Sequence, residues 1–344
     1  MVTTPSRALL PHLAPDNMLL RRATLAFAAL LLLPLAPAIA REPASSEAGL
    51  SERLSAIGTV PIGRVGIATI DLTTGRETGF NATAAFPMAS TVKVAVAVMY
   101  LAEVDAGRRS LDKMIALDEA LRSGSDGIGQ DLPYAGVNLS AANLIHLMLT
   151  LSDNTATDVL INDLGGTARV QAWLVAHSVD GLRIDRNIAR LVLDNLGLPM
   201  LPGKTAAQTL WASDPLPEAA RAVAVVQFDR DPRDSATPAG MANFLARIDR
   251  GEFLKPSSQK FLIDTMIKCK TGPDRIKGLL PEGTIVAHKT GTLSGLSDDV
   301  GIVTLPNGHK FAIALFTMGI AEGPVRARII AEAARTAFDF YATH

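Results

Sequence analysis

The stretch Phe86-Pro87-Met88-Ala89-Ser90-Thr91-Val92-Lys93 runs into Val94-Ala95-Val96-Ala97-Val98-Met99 and on to Leu101. A segment apolar on every face belongs in the middle of a molecule, so the spacing predicts a buried helix with Pro87 just outside its start. That helix carries a hydroxyl at its mouth and an amine one turn in. Residues three apart share a helix face, so the Lys93 amine is within reach of the Ser90 hydroxyl. The helix N-terminus also favours negative charge developing there. A serine with an adjacent proton acceptor is the outline of an activated nucleophile.

The same spacing occurs at Ser110 to Lys113 and at Ser257 to Lys260. Ser110 follows the polar Asp105, Gly107, Arg108 and Arg109, and Pro256-Ser257-Ser258 reads as the start of a surface helix, so both are expected to be ordinary caps. Only at Ser90 does the pattern head a buried helix, where a lysine without partners is costly.

Arg21-Arg22, the apolar run Leu25 to Leu33 and the small residues Ala38-Ile39-Ala40 give residues 1–40 the form of a secretory signal peptide. The run is too short, and too broken by Pro34 and Pro37, for a membrane span, and no later segment is apolar for long enough. The chain is therefore expected to be exported, periplasmic or secreted. Removal of Arg7, Arg21, Arg22 and Asp16 with that segment moves the formal net charge of the 344-residue chain from −1 to −3, which speaks against nucleic acid as a partner. Cys269 is the only cysteine, so no intrachain disulfide forms. The six histidines are scattered without metal-ligand spacing, and neither a metal nor a cofactor is expected.

Along the chain, a helix over Ala48 to Ile57 precedes strands at Gly63–Leu72 and Glu77–Phe80, joined by a turn at Thr73-Thr74-Gly75-Arg76. From Ser90 to about Thr271 the apolar periodicity is helical. Strands return at Gly283–His288, Val300–Leu305 and Lys310–Met318, with a turn at Pro306-Asn307-Gly308, before a helix from about Pro324 to Tyr341. The expected fold is α/β of the α+β type: an antiparallel sheet built from both termini and flanked by helices, with an all-helical domain inserted. Residues 41–85 and 272–344 would form the sheet domain, and 86–271 the helical domain, with an extended loop at about 187–233.

Two further pieces carry polar chemistry. Ser152-Asp153-Asn154 lies in a break between helices, where Asn154 either caps the helix from Thr155 or projects into a cleft. His288-Lys289-Thr290-Gly291-Thr292 ends a strand and sets a cation, hydroxyls and a glycine at the sheet's rim. A second Lys270-Thr271-Gly272 follows a helix and runs into Pro273-Asp274, which is helix-stop chemistry.

Serine-lysine, Ser-Asp-Asn and Lys-Thr-Gly in that order resemble the penicillin-recognising serine hydrolases, and within them the class A β-lactamases. Gly165-Gly166, Arg183-Ile184-Asp185-Arg186, Asp231-Pro232-Arg233-Asp234 with Thr237-Pro238, and Gly278-Leu279-Leu280-Pro281 extend the resemblance over most of the chain. It implies Ser90 as the acylated nucleophile, Lys93 as its proton acceptor and Ser152 as the donor to the departing nitrogen. It implies Asn154 as the holder of the substrate's side-chain amide, and Lys289, Thr290, Gly291 and Thr292 as the carboxylate-binding strand. The N–H groups of Ser90 and Thr292 would form the oxyanion hole. The expected partner is a β-lactam, or a cell-wall peptide, and the enzyme a monomer.

The chain departs from that resemblance at one place. The glutamate that activates water in the family, and the asparagine that helps position it, correspond here to Ile188 and Val192. Between Arg186 and Asp234 the only glutamate is Glu218, whose neighbours Leu216, Ala219, Ala220, Val223 and Val225 are expected to desolvate it and fit it for the role. The alternative is an exposed glutamate in the first turn of a helix after Pro217. Three functions follow: a β-lactam hydrolase using a base from the loop or Lys93, a related D,D-peptidase-like hydrolase that β-lactams acylate, or a penicillin-binding module without useful turnover.

Overall fold

The computed structural model describes residues 46–122 and 127–343; the segment read as a signal peptide lies outside the described residues. A five-stranded antiparallel sheet runs in the order Glu77–Phe80, Arg64–Asp71, Lys310–Met318, Leu296–Thr304, Ile285–Leu293. Lys310–Met318 is its centre. It pairs Ala314 with Ala68 on one side and with Val300 on the other, so strands from both ends of the sequence meet there, as expected.

Alternation along that central strand explains the layering. Phe311, Ile313 and Leu315 enter a core with Leu50, Leu54, Ile330 and Phe338, contributed by the helices Glu47–Gly58 and Gly323–Tyr341. Ala312, Ala314 and Phe316 enter the other core, with Met241, Phe244 and Leu245 of Pro238–Asp249 and the Lys93–Asp105 helix beyond. Every residue from Lys93 to Leu101 is buried, as the all-round apolar run predicts.

Two strands differ from expectation. The predicted Gly283–His288 is Ile285–Leu293, and the predicted Val300–Leu305 is Leu296–Thr304. They close on each other through Ser294-Gly295, with Gly295 at φ 81° supplying the left-handed backbone that a two-residue hairpin needs. Ser297, Asp298 and Asp299 read as loop chemistry, yet they are buried strand residues with internal partners. Asp298 accepts from Thr317 N–H at 3.2 Å, and Ser297 Oγ accepts from Arg326 Nε at 3.0 Å. The helical stretch also contains two short antiparallel ladders, Phe86–Pro87 with Ser235–Ala236 and Met114–Ala116 with Asn138–Ser140.

Candidate active site

The nucleophile turn is held from below. Phe86 stacks on Phe316 at 5.9 Å, and Met88 N–H donates to the carbonyl of Asp234 at 2.9 Å. Ala89 then takes φ 43°, a left-handed conformation that a non-glycine residue adopts only when its surroundings impose it, at a cost of about 1–3 kcal/mol. A 3₁₀ turn over Ala89–Val92 carries the half-buried Ser90 and continues as the α-helix from Lys93.

Lys93 is fully buried, and its amine donates to the Ser152 carbonyl at 2.5 Å, to Ser152 Oγ at 3.2 Å and to Asn154 Oδ1 at 2.7 Å. A buried amine needs such partners to be tolerated. Ser152 is a second non-glycine residue at positive φ, 62°, and its hydroxyl oxygen also accepts from Lys289 Nζ at 2.9 Å. The first lysine comes from the central helix and the second from the edge strand. Burial pushes the Lys289 amine down to about 8.

Capping of the next helix falls to a different residue from the one expected. Asp153, not Asn154, is the N-cap of Asn154–Leu164, its side chain accepting from Ala156 N–H at 2.7 Å. Asn154, the first residue of that helix, points its oxygen at Lys93.

The edge strand approaches Ser90 through Gly291. A Cβ there would lie 2.8 Å from the Met88 carbonyl oxygen and 3.2 Å from Ala89 Cβ, so any larger residue would push the strand off the nucleophile turn. Thr290 Oγ1 lies 2.5 Å from Thr271 Oγ1. Thr292 Oγ1 accepts from Arg275 Nη2 at 2.7 Å, while Arg275 Nη1 donates to the carbonyls of Gly291 and Asp298 at 2.8 and 2.9 Å. The second Lys-Thr-Gly is therefore more than a helix stop. Lys270 is exposed, but Thr271 buttresses the strand that bears Lys289. Arg275 was missed in the sequence; its one signal was an arginine shortly after that second motif.

The inserted loop is closed as expected. Arg186 Nε donates to Asp234 Oδ2 at 2.5 Å, and Asp234 Oδ1 accepts the N–H groups of Asp185 and Arg186 at 2.8 and 2.9 Å. Inside it lie the helices Ile188–Asn195, Ala206–Ala212 and Glu218–Asp229. Ile188 is buried, and its N–H and that of Ala189 donate to the two oxygens of Asp158 at 2.7 and 2.9 Å. Burial raises Asp158 to about 6, against those two hydrogen bonds and the charge of Lys93, which lower it. Three loop aspartates are paired: Asp194 with Arg186 and Arg190, Asp231 with Arg233 and Arg186, Asp229 with Arg64. Glu218 departs from expectation. It opens its helix after Pro217 and is exposed, because the buried face is carried further on by Ala224 and Phe228. Its apolar neighbours in sequence therefore do not desolvate it.

Comparison with known proteins agrees with this geometry. The profile of the beta-lactamase enzyme family matches residues 49–341. The beta-lactamase VEB-1 of Pseudomonas aeruginosa is 27% identical over 289 residues, covering 81% of this chain and 85% of its own. The extended-spectrum beta-lactamase PER-1 of Pseudomonas aeruginosa is 28% identical over 265 residues, covering 74% and 75%. Among solved structures, the TLA-3 extended-spectrum beta-lactamase aligns with a TM-score of 0.71 at 26% identity over 86% of this chain and 99% of that one. A beta-lactamase from Chitinophaga pinensis DSM 2588 aligns with a TM-score of 0.69 at 29% identity, over 87% and 99%. With that match spanning the sheet, the nucleophile turn and the edge strand, the chain belongs to the beta-lactamase enzyme family.

Proposed function

We propose that the chain hydrolyses the amide bond of β-lactams through an acyl-enzyme on Ser90. The observation that carries the proposal is the Ser152 hydroxyl, which accepts from both Lys93 and Lys289. A hydroxyl between two amines can relay a proton from one side of the reacting bond to the other. Ser90 attacks the lactam carbonyl as its proton passes to Lys93, and Ser152 hands a proton to the departing nitrogen. The N–H groups of Ser90 and Thr292 receive the developing oxyanion, each worth about 3–4 kcal/mol. Lys289, Thr290 and Thr292 hold the substrate carboxylate, with Arg275 fixing Thr292. Asn154, whose oxygen is turned to Lys93, would hold the acyl side chain of the substrate through its amide.

Release of the acyl group needs an activated water, and the residue at 188 is an isoleucine. We assign that step to Lys93, since the exposed Glu218 lacks the desolvation that would make it a base. Ile188 also favours a second reading, in which β-lactams acylate the enzyme and leave slowly while the natural substrate is a cell-wall peptide. Loss of a general base costs about a hundred- to ten-thousand-fold, so the two readings differ by a measurable rate. A chromogenic cephalosporin followed by intact-protein mass measurement separates them: sustained colour with free enzyme supports hydrolysis, and a persistent adduct supports the second reading. Export to the periplasm or medium fits both substrates.

A further inference from the structure

The Ile285–Leu293 strand lies at the edge of the sheet, with Leu296–Thr304 on one side and no strand on the other among the described residues. An open strand edge is a template for any extended chain that can pair with it. Backbone groups alternate between the two edges of a strand, and the carbonyl of Thr290 turns to the open one, where it accepts from Lys289 Nζ at 2.7 Å. Thr292 turns the same way. The next N–H due on that edge belongs to Ser294, the first residue of the turn.

That N–H is taken. It donates to Oδ1 of Asn195, the last residue of the Ile188–Asn195 helix, at 3.1 Å, and Asn195 Nδ2 donates to the Ser294 carbonyl at 3.4 Å. A carboxamide carries the same donor and acceptor as a peptide group, so this side chain pairs with Ser294 as one residue of a neighbouring strand would. Asn195 is 1% exposed, and breaking the pair would leave buried polar groups without partners. The helix end is itself held, since Asp194 accepts from Arg186 Nη1 at 2.7 Å. At the next residue of the turn, a Cβ on Gly295 would lie 2.5 Å from Val225 Cγ1, so the Glu218–Asp229 helix stands directly against it. Arg64 Nε ties the end of that helix by donating to Asp229 at 3.1 Å. The inserted loop therefore meets the tip of the substrate-binding strand as a fixed stop.

We infer that Asn195 ends the usable edge of this strand at Thr292, and so selects β-lactams, which carry a single acyl side chain, against peptides that extend further along the strand. The inference rests on the proposed function for where the carboxylate and the reacting carbonyl lie. With the carboxylate at Lys289 and the carbonyl at the Thr292 N–H, the part of a substrate that precedes its reacting residue runs toward Ser294. A single acyl group stops short of it. A cell-wall peptide brings a further residue to Ser294 and finds the N–H and the carbonyl occupied.

The test compares two thioglycolate thioesters, which keep the carboxylate and report turnover through the released thiol: N-acetyl-D-alanyl thioglycolate, and the same compound with diacetyl-lysine in place of the acetyl group. In the wild type the longer thioester should have a kcat/KM no more than about threefold above that of the shorter. In Asn195→Ala that ratio should rise about tenfold, the scale of two backbone hydrogen bonds. Asn195→Asp keeps the acceptor and loses the donor, and the ratio should rise less. A role confined to stability lowers both thioesters together, and an unchanged ratio overturns the inference. So does a wild type that already prefers the longer thioester by more than about threefold, a result that needs no variant to fold. If neither a thioester nor a β-lactam acylates Ser90, the proposed function fails instead. Binding of the unreactive diacetyl-lysyl-D-alanyl-D-alanine then decides the inference: affinity about tenfold tighter for Asn195→Ala than for the wild type supports it, and equal affinity overturns it.

Discussion

Lys289 Nζ lies 2.9 Å from Ser152 Oγ, across 137 positions of sequence, and this bond joins the sheet edge to the break between two helices. Everything proposed for the site depends on that junction. It turns two separate sequence motifs into one proton path with Lys93 at its other end.

Ser90→Ala should abolish both turnover and covalent labelling by a β-lactam. Ser110→Ala and Ser257→Ala should leave both intact, because Ser110 Oγ accepts from Asp112 N–H at 3.2 Å and Ser257 lies exposed in the first turn of its helix. Intact-protein mass spectrometry reads the outcome; an adduct on Ser90→Ala would move the nucleophile elsewhere.

Lys289→Ala should lower kcat/KM by about a hundredfold, the scale of a lost charge-assisted contact of ~3 kcal/mol. Lys270→Ala, at an exposed position, should change it little. Comparable losses in the two variants would show that the wrong Lys-Thr-Gly had been chosen.

Glu218→Gln should leave steady turnover within about twofold and stability within about 0.5 kcal/mol, as for an ordinary surface position. A retained acylation burst with much slower turnover would instead return Glu218 to the role of base.

Arg186→Ala should cost about 3–5 kcal/mol in urea unfolding, because Asp234 is 1% exposed and would be left as an unpaired buried charge. A loss below about 1 kcal/mol would mean that the loop is held by other contacts.

Native stability should change little between pH 6.5 and 9 in the wild type. His288 is raised to about 9 from its ordinary 6.5, so its contribution is complete below pH 6.5 and is lost as pH rises through 9. Cys269 is lowered to about 6 from 9.0, so its contribution is complete above pH 9 and is lost as pH falls through 6. Over the shared window the two slopes oppose. Cys269→Ser removes the second and leaves the pull of Asp299 on His288, so stability should fall by about 1–3 kcal/mol as pH rises across that window. Equal profiles for the two proteins in urea titrations would contradict these two shifts.

The helix at Ser90 was legible because its apolar residues surround it, which only burial explains. The sheet was legible from β-branched alternation at Arg64–Asp71 and from the extended apolar run at Lys310–Met318. Ser297, Asp298 and Asp299 were not, since an aspartate in a strand argues for a loop until its buried partners are known. Asp153 and Asn154 are equally good caps by residue type, and only the tertiary position of Lys93 decides between them. The Thr271–Thr290 and Arg275–Thr292 contacts join residues from two separate segments, and no local pattern announces them.

The order of strands bears on how the molecule is made. Arg64–Asp71 has only Glu77–Phe80 beside it until Lys310–Met318 has been synthesised, and that late strand fills the middle of the sheet. Closing so long a loop is slow, and an unpaired apolar strand edge invites association with other chains meanwhile. A ribosome that stops short of Lys310 would therefore release a chain with a gap through the centre of its sheet, and the hairpin of Ile285–Leu293 with Leu296–Thr304, which presents Lys289, would have nothing to join.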